Sequence, residues 1–130
     1  MSALSDYAEN ELLDHLLGTT SFTMPAQVYV ALFVAAPSDS GGGTEVSTSG
    51  TAYAREPVDF AAASGGAANP TGDVQFDEAT GNWGTVTHLG LFDAASGGNL
   101  LMHGALAVSK LIETGDTFRI PAADLDVSVA

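Results

Sequence analysis

Thr85-Val86-Thr87-His88-Leu89-Gly90-Leu91-Phe92, then Asp93-Ala94-Ala95-Ser96-Gly97-Gly98-Asn99, then Leu100-Leu101-Met102-His103 decide the fold. Two runs of apolar, β-branched and aromatic residues flank a segment of small, turn-forming ones, which is the composition of a β-hairpin. Outward from it, residues 105–108, 117–120 and 125–129 read as further short strands, with Gly115-Asp116 as another turn. On the N-terminal side, residues 73–76 read as a strand and residues 53–60 alternate in character. Pro57 places that segment at an edge or a bend, because proline cannot donate to a ladder. Residues 27–34 are continuously apolar, as expected of a central strand covered on both faces. Residues 37–50 and 61–72 read as loops, with at most a brief strand at 44–47. Seven or eight short strands at this spacing predict an antiparallel β-sandwich or jelly roll rather than a parallel sheet.

One helix precedes the strands. Ala8, Leu12, Leu13, Leu16 and Leu17 recur at helical spacing and predict a helix over residues 6–17. Asp6 and Glu9 resemble a capping box, and Gly18 suits a left-handed stop. The leucine row should bury itself on the chain's own sheet, since a small sheet needs a cover; the alternative is burial against a neighbouring subunit.

At 130 residues and 45% hydrophobic, the chain has material for one core, so a single domain over 1–130 is expected, with its β part from about residue 27 onward. Sixteen acidic residues stand against three basic ones, Arg55, Lys110 and Arg119, for a net charge of −13. Such a surface disfavours nucleic acid and anionic membranes as partners. It also predicts self-repulsion at low salt and suits a salt-rich habitat, the alternative being an acidic chain that gains solubility from its charge. Cysteine is absent, which removes disulfide and thiolate chemistry. The N-terminus lacks a secretory pattern, and the longest apolar run, residues 28–36, is under half of the roughly 20 residues of a spanning helix. A soluble protein made in the cytoplasm and used without export is therefore expected.

The chain carries few chemistry-bearing motifs. His15, His88 and His103 are the only imidazoles and show no local ligand spacing, so the two in strands are read as structural. No nucleophile elbow or Ser-x-x-Lys is present, and loop acids such as Asp39, Glu45 and Asp77 read as solvated surface. Asp77-Glu78 and the pair Asp124 and Asp126, expected to share a strand face, offer hard oxygen ligands without an EF-hand spacing. Gly41-Gly42-Gly43 and Ser64-Gly65-Gly66 lack the context of a phosphate loop. Trp83 could present a glycan-stacking platform, but a lone tryptophan beside a strand is more often core. No catalytic, cofactor-binding or metal residue is assigned, and no enzyme is expected.

Several segments together resemble a known family: Leu4-Ser5-Asp6-Tyr7-Ala8-Glu9-Asn10-Glu11-Leu12-Leu13-Asp14-His15, Val28-Tyr29-Val30-Ala31-Leu32-Phe33, Trp83-Gly84-Thr85-Val86-Thr87-His88-Leu89-Gly90-Leu91-Phe92-Asp93, Gly98-Asn99-Leu100-Leu101-Met102-His103-Gly104-Ala105-Leu106 and Gly115-Asp116-Thr117-Phe118-Arg119-Ile120-Pro121-Ala122. They are similar to small accessory virion proteins of tailed bacterial viruses, often labelled tail fiber proteins. The resemblance implies a structural virion component with a compact β fold. Its partners would be itself, as a trimer, a pentamer or another homo-oligomer, and other virion proteins such as the major capsid protein. A capsid decoration or turret protein is the leading expectation, a tail, fibre or baseplate component the alternative, and a carbohydrate-binding module the third. The acidity departs from the family's usual flavour and implies a virus whose host lives in salt, such as a halophilic archaeon.

Overall fold

The computed structural model describes residues 3–129. In chain order its strands are β1 (Ala3–Leu4), β2 (Val28–Ala35), β3 (Thr44–Glu45), β4 (Glu56–Val58), β5 (Ala67–Ala68), β6 (Val74–Gln75), β7 (Gly84–Phe92), β8 (Leu100–Ile112), β9 (Arg119–Ile120) and β10 (Val127–Ser128). Helix α1 (Asp6–Leu16) follows β1, and a 3-10 turn, Ala122–Asp124, precedes β10. The main sheet runs β1-β8-β7-β2-β3, with β4 also on β2; the ribbons β5/β10 and β6/β9 are separate, and every pairing is antiparallel.

This is the expected mainly β, sandwich-like architecture behind one N-terminal helix. The apolar run of β2 makes it central, because Val30 and Leu32 can face one side of the sheet while Ala31 and Phe33 face the other, all four buried. On the inner face, Val30, Leu32, Leu89, Leu91 and Met102 join one core cluster with Val74, Phe76, Phe118, Ile120 and Leu125. The β6/β9 ribbon and the segments beside it thus close the core. Trp83 and Phe118 both meet Phe76 edge-on, at 6.2 and 5.9 Å between ring centroids.

On the outer face, Phe33 and Phe92 stack at 6.2 Å. They converge over Gly90, where a Cβ would lie 3.0 Å from Phe33 Cε1 and 3.3 Å from Phe92 Cε1. The glycine inside an otherwise apolar strand is therefore a hollow for two phenyl rings.

The hairpin is present, and its loop is tied by Asp93, whose carboxylate accepts from the Asn99 backbone N–H at 2.7 Å and from Asn99 Nδ2 at 3.0 Å. Two expected strands, 100–103 and 105–108, are in fact parts of the single β8, since Gly104 pairs with Leu89 and does not interrupt it. Register along β7/β8 breaks twice. Near its start, β8 holds one extra residue, Leu101, between the partners of Leu91 and Phe92; further on, four residues, 106–109, stand opposite Thr87 alone. The strand expected at 125–129 shrinks to β10, because Leu125 caps the 3-10 turn and the Asp126 side chain accepts from Asn69 before pairing starts at Val127. The loop expected at 61–72 contains β5, whose alanines carry no strand signal.

The helix starts at Asp6 as expected and ends at Leu16, one residue short, but its cap is not the expected one. Ser5, not Asp6, is the N-cap, and its Oγ accepts from the Ala8 N–H at 3.1 Å. Ser5 is 2% exposed, its hydroxyl donates to the Leu100 carbonyl, and its N–H donates to the Leu101 carbonyl at 2.9 Å. The Leu101 bulge thus frees two carbonyls that the cap residue takes, which links β1 and α1 to β8. Gly18 has φ +78° and supplies the left-handed stop. The expected burial of the leucine row on the chain's own sheet is only partial, with Ala8 and Leu12 half-buried and the rest of the row exposed. No residue of α1 is buried, and Leu13, Leu16 and Leu17 are 55, 68 and 76% exposed. The ribbons already cover the inner face, and Phe33, Phe92 and Arg55 occupy part of the outer one.

Candidate functional site

A cleft of about 670 Å³ opens between the N-terminus of α1, the loop at residues 37–43 and the distal end of the β7/β8 hairpin. Its position follows from the Ser5 cap, which brings α1 to the start of β8. A second tie joins the helix to the loop, where the Asp6 N–H donates to the Asp39 carbonyl at 2.8 Å. Asp6, Glu9 and Asp39 gather there with carboxylate oxygens within 4.8 Å of one another, all exposed. His103 Nε2 lies 2.8 Å from Asp39 Oδ1, an ion pair when the ring is protonated. Tyr7 also lines the cleft. Desolvation first, then the charges of Glu11 and Asp93, raise its hydroxyl above the ordinary value.

Beneath the cleft lies a polar clamp. Arg55 Nε and Nη2 donate to Glu45 Oε2 and Oε1, both at 2.9 Å, while Nη1 donates to the carbonyls of Ala94 and Gly97 at 2.9 and 2.8 Å. The guanidinium carbon stands 3.7 Å from the Phe92 ring centroid. Tyr53 donates to Glu45 Oε2 at 2.6 Å and accepts from the Leu32 N–H at 3.0 Å. Arg55 therefore ties the β7/β8 loop to β3, and Tyr53 extends the network to the central strand, so the cleft sits on a stiff base.

Tyr53 offers a pH handle on this clamp. Desolvation, then its hydrogen bond to Glu45, raise its hydroxyl far above the ordinary value, outweighing the opposing effects of the Leu32 N–H and Arg55. The folded state thus holds the proton more tightly than the unfolded chain. That contribution is complete below the ordinary tyrosine value of about 10 and fades as pH rises above it, at up to about 1.4 kcal/mol per unit. Urea midpoints measured from pH 9 upward should fall more steeply for the wild type than for Tyr53→Phe; parallel curves would contradict this account.

The residues singled out from sequence mostly stay apart. His88 Nδ1 contacts Thr87 Oγ1 at 2.8 Å, His15 Nδ1 accepts from the Phe22 N–H at 3.0 Å, and His103 is the one beside a carboxylate. Asp124 and Asp126 do not share a strand face: Asp124 ends the 3-10 turn, and Asp126 accepts from Asn69. Trp83 is 5% exposed and donates from Nε1 to the Thr51 carbonyl at 2.8 Å, so it is core and not a platform. The Asp6, Glu9 and Asp39 grouping had no sequence signal, since the tie to Asp39 depends on the fold.

A family model described as Podophage GP4 fiber I protein gp80 matches residues 3–128. No curated protein matches the chain. The match spans nearly the whole chain, including the hairpin, the Ser5-capped helix and the central strand. The chain belongs to the podophage GP4 fiber I protein gp80 family and is a tail-fibre-type structural protein of the phage virion.

Proposed function

We propose that the chain is a homo-oligomeric fibre component on the tail side of a tailed-virus particle, made in the host cytoplasm and joined to neighbouring virion proteins. The match to a fibre protein family over residues 3–128 carries this reading. The stiffly based cleft and the exposed leucines of α1 support it, since a virion module needs surfaces for subunits and for the host. With no catalytic constellation assigned, binding and assembly are its work. The net charge of −13 argues against a nucleic-acid or anionic-membrane partner. No helix among the described residues is long and apolar enough to cross a membrane.

A second reading, a capsid decoration or turret protein on the major capsid protein, draws on the short strands and small sheets, which suit a lattice ornament as well as a fibre head. Quantitative mass spectrometry of purified particles separates the two. A few copies per particle, located on the tail by labelling, is the expected result; a copy number matching the shell lattice would overturn the tail placement in favour of decoration.

The salt-rich setting belongs to the same proposal. Among the described residues, two of the three basic side chains are held in salt bridges, Arg55 with Glu45 and Arg119 with Asp73, so most carboxylates have no cationic partner. Screening shortens from about 30 Å at 0.01 M to about 3 Å at 1 M salt. The melting midpoint should therefore rise by about 10 °C or more between dilute buffer and molar potassium chloride, equivalent to roughly 2–3 kcal/mol. A flat curve would reject adaptation to salt.

A further inference from the structure

The exposed end of α1 and a groove beside β8 are an apolar protrusion and an apolar recess on one molecule. Leu16 and Leu17 project at the helix end, 68 and 76% exposed, with Leu13 beside them and Met24, 82% exposed, in the segment that follows. The recess, about 510 Å³, is bounded by Leu89, Phe118, Ile120 and Leu125 from the core and by Leu106 and Val108 from the bulge of β8. The bulge explains the recess. Four residues opposite Thr87 throw the strand outward, leaving Val108 68% exposed. Over its second half, β8 has no strand on its outer side, because β1 pairs only with Met102 and His103. An irregular bulge is a poor template for adding a strand, so side-chain docking is the recognition mode this edge allows.

Charge decides which partner fits. Residues 94–112 contain no acidic residue in a chain of sixteen, and Arg55 is committed to the internal clamp. The other two basic residues, Lys110 and Arg119, both border the recess beside Asp124 and Asp126, and Arg119 is already paired with Asp73 at 2.6 Å. Lys110 forms no salt bridge among the described residues. A second copy, itself at −13, meets least repulsion here. Its helix end carries Asp14 among the leucines and Glu11 one turn earlier, complementary to Lys110.

Resting on the reading of the chain as a self-assembling virion protein, we infer that the Leu16–Leu17 end of α1 in one copy docks into the recess between the β8 bulge and residues 118–126 of the next copy. The contact is heterologous, since protrusion and recess are different surfaces. Repeated around an axis, it closes a ring.

Mixing variants tests this. All substituted side chains are exposed, and thermal melts confirm that each variant is folded. In molar salt at tens of micromolar, light scattering should give three or more copies for the wild type. It should give monomers for Leu16→Gln with Leu17→Gln, and monomers for Val108→Gln with Lys110→Glu. An equal mixture of the two variants should form dimers and stop there, because one intact protrusion meets one intact recess. A monomeric wild type, either folded variant keeping the wild-type mass, or a mixture that stays monomeric would overturn the inference. Failure of the virion reading shows separately: its sign is absence of the chain from purified particles, whatever the mixing experiment gives.

Discussion

Arg55→Ala is expected to lower unfolding stability by about 3–5 kcal/mol, the range for breaking a buried ion pair on one side. The Arg55 side chain is 8% exposed and that of Glu45 26%. Truncation leaves Glu45 half-buried with only Tyr53 as a donor among its present side-chain partners, strips two carbonyls of the β7/β8 loop of their donor, and uncovers the Phe92 face. Urea unfolding reads the effect directly. With a slope of about 1–3 kcal/mol per molar, the midpoint should fall by at least about 1 M. Arg55→Lys should recover only a minor part, because a single ammonium cannot reproduce the planar fork that serves Glu45 and two carbonyls at once. A loss below about 1 kcal/mol would show that the clamp is a surface ion pair in energetic terms.

That clamp shows where sequence reading stops. The β7/β8 hairpin was legible because its signals are local: two apolar runs, a glycine-rich turn and the strand period. The central position of β2 was legible because a continuous apolar run has nowhere else to go. Arg55 lies 10 residues from Glu45 and 39 and 42 from Ala94 and Gly97, and no sequence pattern relates them. The cleft carboxylates were illegible for the same reason: Asp6 and Glu9 are one helical turn apart, but Asp39 is brought to them by long-range ties, its carbonyl to the Asp6 N–H and its carboxylate to His103. The N-cap was misplaced by one residue because Asp6 and Glu9 mimic the box, whereas Ser5 also has a partner 95 positions away in Leu100. The leucine row of α1 illustrates a different limit. Helical periodicity identifies an apolar face, but not whether the chain's own sheet or another molecule covers it.

Trp83→Ala is the second large effect, and it tests the carbohydrate reading at the same time. The indole meets Tyr53 edge-on at 5.3 Å and Phe76 at 6.2 Å, and its Nε1 serves the Thr51 carbonyl. That carbonyl also accepts from the Thr80 N–H at 3.1 Å, so it keeps a partner after truncation. The cost is therefore mostly cavity and lost packing, about 3–5 kcal/mol for a large aromatic replaced by alanine. Trp83→Phe retains most of the bulk and forfeits the hydrogen bond, and should lose about 0.5–1.5 kcal/mol on that account. As the only tryptophan, Trp83 reports its own surroundings by fluorescence. Its emission should be blue-shifted, resist aqueous quenchers in the folded state and stay unchanged across a panel of host polysaccharides. A stacking platform behaves oppositely: emission characteristic of water-exposed indole, a shift on adding glycan, and an alanine variant as stable as the wild type.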